Sequence, residues 1–186
     1  MYSPRFMTGP RPAYDRSIVL VGLMGVGKTS IGRRLARRLG MAFADSDEEI
    51  ERAAGQSIAD MFERFGEPSF RDGERRVIER LIGGPAKVIA TGGGAFMDER
   101  TRALILERCI AIWLDADLDT LVRRVGRRSH RPLLVDKDPR SVLGALSAQR
   151  NPVYALAHLH VRSESLPHEQ AVERIVQALS TREFEA

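Results

Sequence analysis

Ser17-Ile-Val-Leu-Val21-Gly22-Leu-Met-Gly25-Val26-Gly27-Lys28-Thr29-Ser30-Ile-Gly-Arg-Arg-Leu-Ala-Arg-Arg-Leu39 reads as a strand, a glycine-rich turn and a helix in immediate succession. The apolar run Ser17 to Val21 suits a buried strand, and the turn fits G-x-x-x-x-G-K-[ST] in the context that pattern requires. Glycines there let successive backbone N–H groups converge on phosphate oxygens, and the following helix adds the positive end of its dipole. Gly25, Val26, Gly27, Lys28, Thr29 and Ser30 are therefore the expected nucleotide cradle, with Lys28 bridging the β- and γ-phosphates and the Thr29 hydroxyl ligating Mg²⁺. The plainer alternative is a Gly-rich turn that only joins strand to helix.

Working outward, the same alternation continues along the chain. Ala42 to Ala44 precedes helical patterns at Glu48 to Ala54, Ile58 to Phe65 and Phe70 to Ile82. Lys87 to Ala90 precedes Glu99 to Leu106, and Ile110 to Leu114 precedes Leu118 to Val125 and Pro139 to Arg150. Leu159 to Val161 precedes His168 to Leu179. Five strands alternating with helices predict an α/β fold, a parallel sheet with helices on both faces and ligands at the carboxyl ends of the strands. With 186 residues and 43% hydrophobic content the chain can bury one core unaided. One domain over residues 17–180 is expected, with a short arm at 1–16 and a tail at 181–186.

Composition narrows the partners without choosing one. The formal charge is +4 and the sequence pI about 9.7, but of 29 basic residues only Lys28, Lys87 and Lys137 are Lys, so any single Arg says little. Nucleic acid is disfavoured: aromatics make up 6% of the chain and no stacking motif or basic stripe stands out. The one cysteine, Cys109, lies in an apolar run and implies a buried thiol in a reducing compartment. No stretch approaches the roughly 20 apolar residues that span a bilayer, and the first fifteen residues lack a secretory signal pattern. A cytoplasmic monomer without membrane contact is the expectation.

The nucleotide's partner chemistry comes from three further stretches. No Asn-Lys-x-Asp guanine signature occurs, which favours ATP over GTP. The strand Lys87 to Thr91 ends in Gly92-Gly93-Gly94 rather than Asp, so a carboxylate for the metal must come from Phe43-Ala-Asp45-Ser46-Asp47. In an extended segment alternate residues share a face, so Asp45 and Asp47 could both look toward the phosphates, one strand over from the glycine-rich turn. Asp45 would then hold Mg²⁺ through water, and Asp47 would accept a hydrogen bond from an attacking hydroxyl. Helix capping is the competing use of Asp and Ser before Glu48-Glu49.

Taken together, Gly22 to Thr29, Asp45-x-Asp47, Phe62 to Glu74, Thr91-Gly-Gly-Gly94, Arg131-Pro-Leu-Leu134 and Arg150-x-Pro152-x-Tyr154 resemble, in order, the motifs of the shikimate kinases. The resemblance covers about residues 17 to 166. It implies a P-loop kinase fold with a five-stranded parallel sheet, a substrate-binding region at 46–82 and a lid at 126–137. It implies Mg-ATP-dependent phosphorylation of the 3-hydroxyl of shikimate, giving shikimate 3-phosphate and ADP on the route to chorismate and the aromatic amino acids. By the resemblance Asp47 is the candidate base and binds the hydroxyl, and Asp45 assists Mg²⁺. Arg71 and Arg150 grip the carboxylate of shikimate, Glu74 orients Arg71, and Gly92, Gly93 and Gly94 bring backbone N–H groups to the substrate. Arg131 reaches over the phosphates and Arg124 stacks on adenine. Two positions depart from the pattern: His158 and Arg162 stand where many relatives carry acidic residues, which bears on packing near Ser163 to His168. His158 and His160 lack the further Cys or His cluster that a metal site would need.

Two other readings remain at this stage. A gluconate-type or adenylate-type kinase would share the P-loop, and the Arg pair with the triple Gly is what favours a carboxylate acceptor. A basic, ATP-responsive nucleic-acid-binding module is the other.

Overall fold

The computed structural model describes residues 14–126, 138–163 and 167–181. Their elements run β1 (Ile18–Val21), α1 (Lys28–Leu39), β2 (Ala42–Asp45), α2 (Ser46–Ala54), α3 (Ile58–Ile82), β3 (Lys87–Ala90), a single 3₁₀ turn (Ala95–Met97), α4 (Glu99–Arg108), β4 (Ile110–Asp115), α5 (Leu118–Val125), α6 (Pro139–Tyr154), β5 (Leu159–Arg162) and α7 (His168–Thr181). The five strands form one parallel sheet in the order β2-β3-β1-β4-β5. All four residues of β1 are fully buried, as a central strand covered on both faces must be. Parallel pairing puts every carboxyl end at one edge, and the chain turns one way from β1 to reach β3 and the other way to reach β4. Ligands of open α/β sheets bind at such a switch point, and the glycine-rich turn leaves the carboxyl end of β1 there.

Two sequence-derived details change. Asp45 and Asp47 sit not one strand over from that turn but two, because β3 pairs between β1 and β2. Nor do the two carboxylates share an extended segment: α2 starts at Ser46, so Asp47 already lies in the helix and Asp45 is its N-cap. The two helices expected at Ile58 to Phe65 and Phe70 to Ile82 are one element bent at Gly66, whose φ of 73° and ψ of 169° lie outside helical values. Pro68 starts the second segment, where its missing N–H costs little. Likewise α6 runs past Pro152 to Tyr154, because a proline near a helix end removes one bond without ending the last turn.

Cys109 is buried and its thiol is pushed up to about 11, first by desolvation, so it stays protonated. Outside the sheet, α1 and α7 are tied by Arg34–Glu169 and Arg38–Glu173, exposed pairs worth little individually. More depends on Gly32, where α1 lies on the sheet: a Cβ there would stand 2.7 Å from the Phe43 ring and 3.2 Å from Leu20. Ala's better helix propensity does not offset overpacking of about 1–3 kcal/mol. Gly32→Ala should therefore lower the urea midpoint by an amount equivalent to about 1–2 kcal/mol.

Candidate active site

The glycine-rich turn is shaped by contacts that only glycine permits. Gly22 has φ 138°, and a Cβ on it would sit 2.3 Å from the Leu114 carbonyl oxygen of the neighbouring strand. Gly27, at φ 101°, is the N-cap of α1 and brings no side-chain cap, and no acidic residue stands in the first turn. The helices α2 to α6 are all capped by Asp or Ser side chains. The first N–H groups of α1 thus face the loop without a carboxylate competing for them, as an anion cradle needs. Lys28 Nζ donates to the carbonyls of Gly22 (2.7 Å) and Leu23 (3.0 Å), which draws the ammonium back across its own loop.

Asp45 does two things at once. Its Oδ1 accepts from the Asp47 backbone N–H at 3.0 Å, which caps α2, and its Oδ2 accepts from the Thr29 hydroxyl at 2.7 Å. Capping and service to the phosphate loop were alternatives in the sequence; one carboxylate performs both. Ser46, fully buried, accepts from the Gly92 N–H at 3.2 Å and ties the end of β2 to the triple-glycine loop. Sequence reasoning saw Ser46 only as a possible cap.

That loop is where the residues expected at the acceptor meet. A Cβ on Gly92 would lie 2.7 Å from Asp47 Oδ1 and 3.3 Å from Glu74 Oε1, one on Gly94 2.4 Å from Arg71 Nη2, and one on Gly93 3.5 Å from Arg150 Nη1. Four charged side chains from α2, α3 and α6 therefore press on three residues with no side chains. Arg71 donates to Glu74 at 2.6 Å, with Glu74 only 2% exposed, and to Glu67 at 3.1 Å. An open cavity of about 380 Å³ borders the same Arg71 and is lined also by Glu67, Pro68, Met97 and Asp98. Among the described residues the buried Oδ1 of Asp47 has no hydrogen-bond partner.

The charges respond to this crowding. Burial raises the Asp47 carboxyl above its ordinary range, the neighbouring Asp45 adds to the rise, and Lys28 opposes it. Glu74 is also raised, by burial first, against the pull of Arg71. Burial alone would lower the Arg71 guanidinium, but Glu74 and then Glu67 outweigh it and hold the cation firmly charged. An ion pair that fixes one guanidinium beside a buried carboxyl with a spare acceptor is the arrangement of a site that orients a polar substrate.

On the nucleotide side, Arg124 donates to the carbonyls of Val26 (3.0 Å) and Ser163 (3.4 Å), and the Ser163 hydroxyl donates to Val26 at 3.3 Å. The segment after β5 and the end of α5 thus brace the outer wall of the phosphate loop, with His168 beside Gly27. Arg131, the rest of the 126–137 segment beyond Gly126, residues 1–13 of the arm and 182–186 of the tail lie outside the described residues. His158 and His160 serve separate ends: His158 Nδ1 accepts from the Ala111 N–H at 3.0 Å, and His160 stacks on Trp113 with centroids 4.0 Å apart and meets Asp115 at 3.3 Å. Among the described residues no group of three or more His, Cys, Asp or Glu is placed to hold a metal ion, and no helix is long and apolar enough to cross a membrane.

A five-stranded parallel sheet with a phosphate-loop pattern at its switch point, and a cluster of charged side chains around a triple-glycine loop, is the architecture of a P-loop kinase. The shikimate kinase family model matches residues 24–180. Shikimate kinase of Zymomonas mobilis is 56% identical over 173 residues, covering 93% of this chain and 98% of its own length, and that of Caulobacter vibrioides is 55% identical over 168 residues, covering 90% and 84%. The solved structure of shikimate kinase from Acinetobacter baumannii in complex with shikimate superposes with a TM-score of 0.87 at 36% identity, covering 93% of this chain and 97% of that one. The chain belongs to the shikimate kinase family. A gluconokinase from Sinorhizobium meliloti shares the fold at 18% identity and a TM-score of 0.58.

Proposed function

We propose that this shikimate kinase transfers the γ-phosphoryl group of ATP to the 3-hydroxyl of shikimate, with Asp47, Arg71 and Arg150 holding the acceptor. The observation that carries the residue assignment is the convergence of Asp47, Glu74, Arg71 and Arg150 on the side-chain-free Gly92–Gly94 loop. Two guanidiniums bind a planar carboxylate by forked, charge-assisted hydrogen bonds and fix its orientation as well as its charge. Glu74 keeps Arg71 in place, and the glycine loop lets backbone N–H groups reach the ring of the substrate. With the acid end anchored, the hydroxyl to be phosphorylated meets the spare Oδ1 of Asp47. That oxygen accepts the hydroxyl's proton as the new O–P bond forms and the bond from the γ-phosphorus to the β–γ bridging oxygen breaks, that oxygen leaving on ADP.

The phosphate chain lies along the Gly25–Ser30 turn, where backbone N–H groups and Lys28 balance its charge. Phosphoryl transfer needs little covalent help, so positioning and charge stabilisation do most of the work. The hydroxyl of Thr29 and the carboxylate of Asp45, 2.7 Å apart, are hard oxygen donors of the type Mg²⁺ prefers. When bound there, Mg²⁺ would neutralise charge on the β- and γ-phosphate oxygens. Arg124 borders the adenine side by its contacts with Val26 and Ser163, and Arg131 is assigned from sequence alone to the charge over the phosphates.

ADP release coupled to a spectroscopic assay should depend on shikimate and be absent with gluconate or AMP as acceptor; turnover with either of these in place of shikimate would refute the assignment. The pH profile gives a second check. Because Asp47 acts as the carboxylate and its pKa is raised, kcat/KM should fall on the acid side at a pH above that of an ordinary aspartate, about 4. An acid limb at or below that value would exclude Asp47 as the group responsible.

A further inference from the structure

Tyr154 closes α6 one turn after Arg150 and is fully buried. Its hydroxyl donates to the carbonyl of Gly93, across 61 residues of sequence, and the Arg150 guanidinium, 3.5 Å from where a Gly93 Cβ would stand, lies beside the same phenol and acts on it electrostatically. The ring packs against Phe96 at 6.5 Å and Trp113 at 6.1 Å between centroids. Phe96 belongs to the 3₁₀ turn that follows the glycine loop, and Trp113 to β4 at the core of the sheet. A backbone of three glycines has no side chain of its own with which to fix its position, so the loop depends on bonds from outside. Ser46 supplies one at Gly92 and Tyr154 the next at Gly93.

We propose that Tyr154 is a positioning residue for the acceptor: its phenol joins the middle of the glycine loop to Arg150 and sets the gap between them that the substrate carboxylate occupies. The inference rests on the reading above that Arg150 and this loop hold shikimate. It gives the phenol a task that packing alone does not, since a phenylalanine would fill the same space between Phe96 and Trp113. Burial pushes the Tyr154 hydroxyl up to about 12, so it remains a donor to Gly93 throughout the working pH range.

Tyr154→Phe, which keeps the ring and removes only the hydroxyl, separates the alternatives. Loss of one buried hydrogen bond that aligns the substrate site should raise the KM for shikimate about tenfold. Both kcat and the KM for ATP should stay within about twofold. Shikimate titrated against the emission of Trp113, the sole tryptophan, should report the same weakening without turnover. An unfolded Tyr154→Phe protein, an unchanged shikimate KM, or equal changes in both KM values would overturn the proposal in favour of a purely structural phenol. Arg150→Lys, assayed in parallel, distinguishes the two levels of the argument. If it leaves the shikimate KM unchanged, the assignment of Arg150 itself fails; if it raises that KM while Tyr154→Phe does not, only the positioning role is lost.

Discussion

Asp47→Asn should lower kcat with shikimate by about 10²–10⁴-fold, the range expected when a positioned proton acceptor is removed, and leave the KM for ATP nearly unchanged. The amide keeps the volume of the carboxyl but presents an acceptor without charge, and its NH₂ meets the substrate hydroxyl donor to donor in one of its two orientations. The nucleotide side is spared because the hydrogen bond from the end of β2 to the Thr29 hydroxyl belongs to Asp45. Folding should be spared as well. Among the described residues the buried Oδ1 of Asp47 has no partner, and burial raises its carboxyl, so the charged form costs stability in the free enzyme. The sign follows from the raised pKa: the site favours folding most below the unfolded value and loses that advantage as pH rises through the folded one. Asp47→Asn should thus melt no lower than the wild type at pH 8. Steady-state kinetics and a thermal melt on the same preparation decide the matter, and near-normal turnover would remove Asp47 from the mechanism.

Arg71→Met should be costly in both stability and affinity. It leaves Glu74, 2% exposed, without the guanidinium 2.6 Å away, and breaking a buried pair from one side typically costs about 3–5 kcal/mol. Arg71 itself is 21% exposed, so solvent softens the interaction and the lower end, near 3 kcal/mol, is expected. The loss should depend on pH in a definite direction. Glu74 is already raised by burial, and the opposing pull of Arg71 disappears in the variant. Its folded pKa moves further above the unfolded one, so the deficit relative to wild type should be smallest below the ordinary glutamate range and grow as pH rises. Urea midpoints compared at pH 5 and pH 8 measure that growth; a deficit independent of pH would mean that Glu74 is not the group left stranded. At pH 5 the folded variant should still bind shikimate about 10- to 100-fold more weakly, as loss of a charge-assisted bond to a carboxylate demands.

The alternation of strand and helix was readable because each strand is a short apolar run and each helix an amphipathic one, and both signals are local. Strand order was not. Whether β3 or β2 lies beside β1 depends on pairings such as Leu20 with Ala90, and the sequence of β2, with its partly exposed Ala-Phe-Ala-Asp, only hints that it is an edge. The error over Asp45 and Asp47 has the same origin as its partial success. Alternate residues in a strand share a face, but the strand ends at the capping Asp45, two residues short of Asp47, and the turn into α2 delivers Asp47 to the glycine loop by another route. Arg71 with Glu74 was accessible to helical spacing. The bond from Tyr154 to Gly93 was not, although the four-residue step from Arg150 to Tyr154 already placed the two on one side of a helix once Pro152 is allowed inside it.

The placement of β1 at the centre of the sheet bears on how the protein is made. Of the described strands the one that carries the phosphate loop comes first in the chain, yet its two neighbours, β3 and β4, end at residues 90 and 115. A growing chain must leave the ribosome for most of its length before the loop has walls, so bound nucleotide cannot act as an early scaffold during translation. Until then the most apolar strand of the enzyme has no partner on either side, and it is in that interval that the nascent polypeptide is most open to aggregation and most in need of a chaperone.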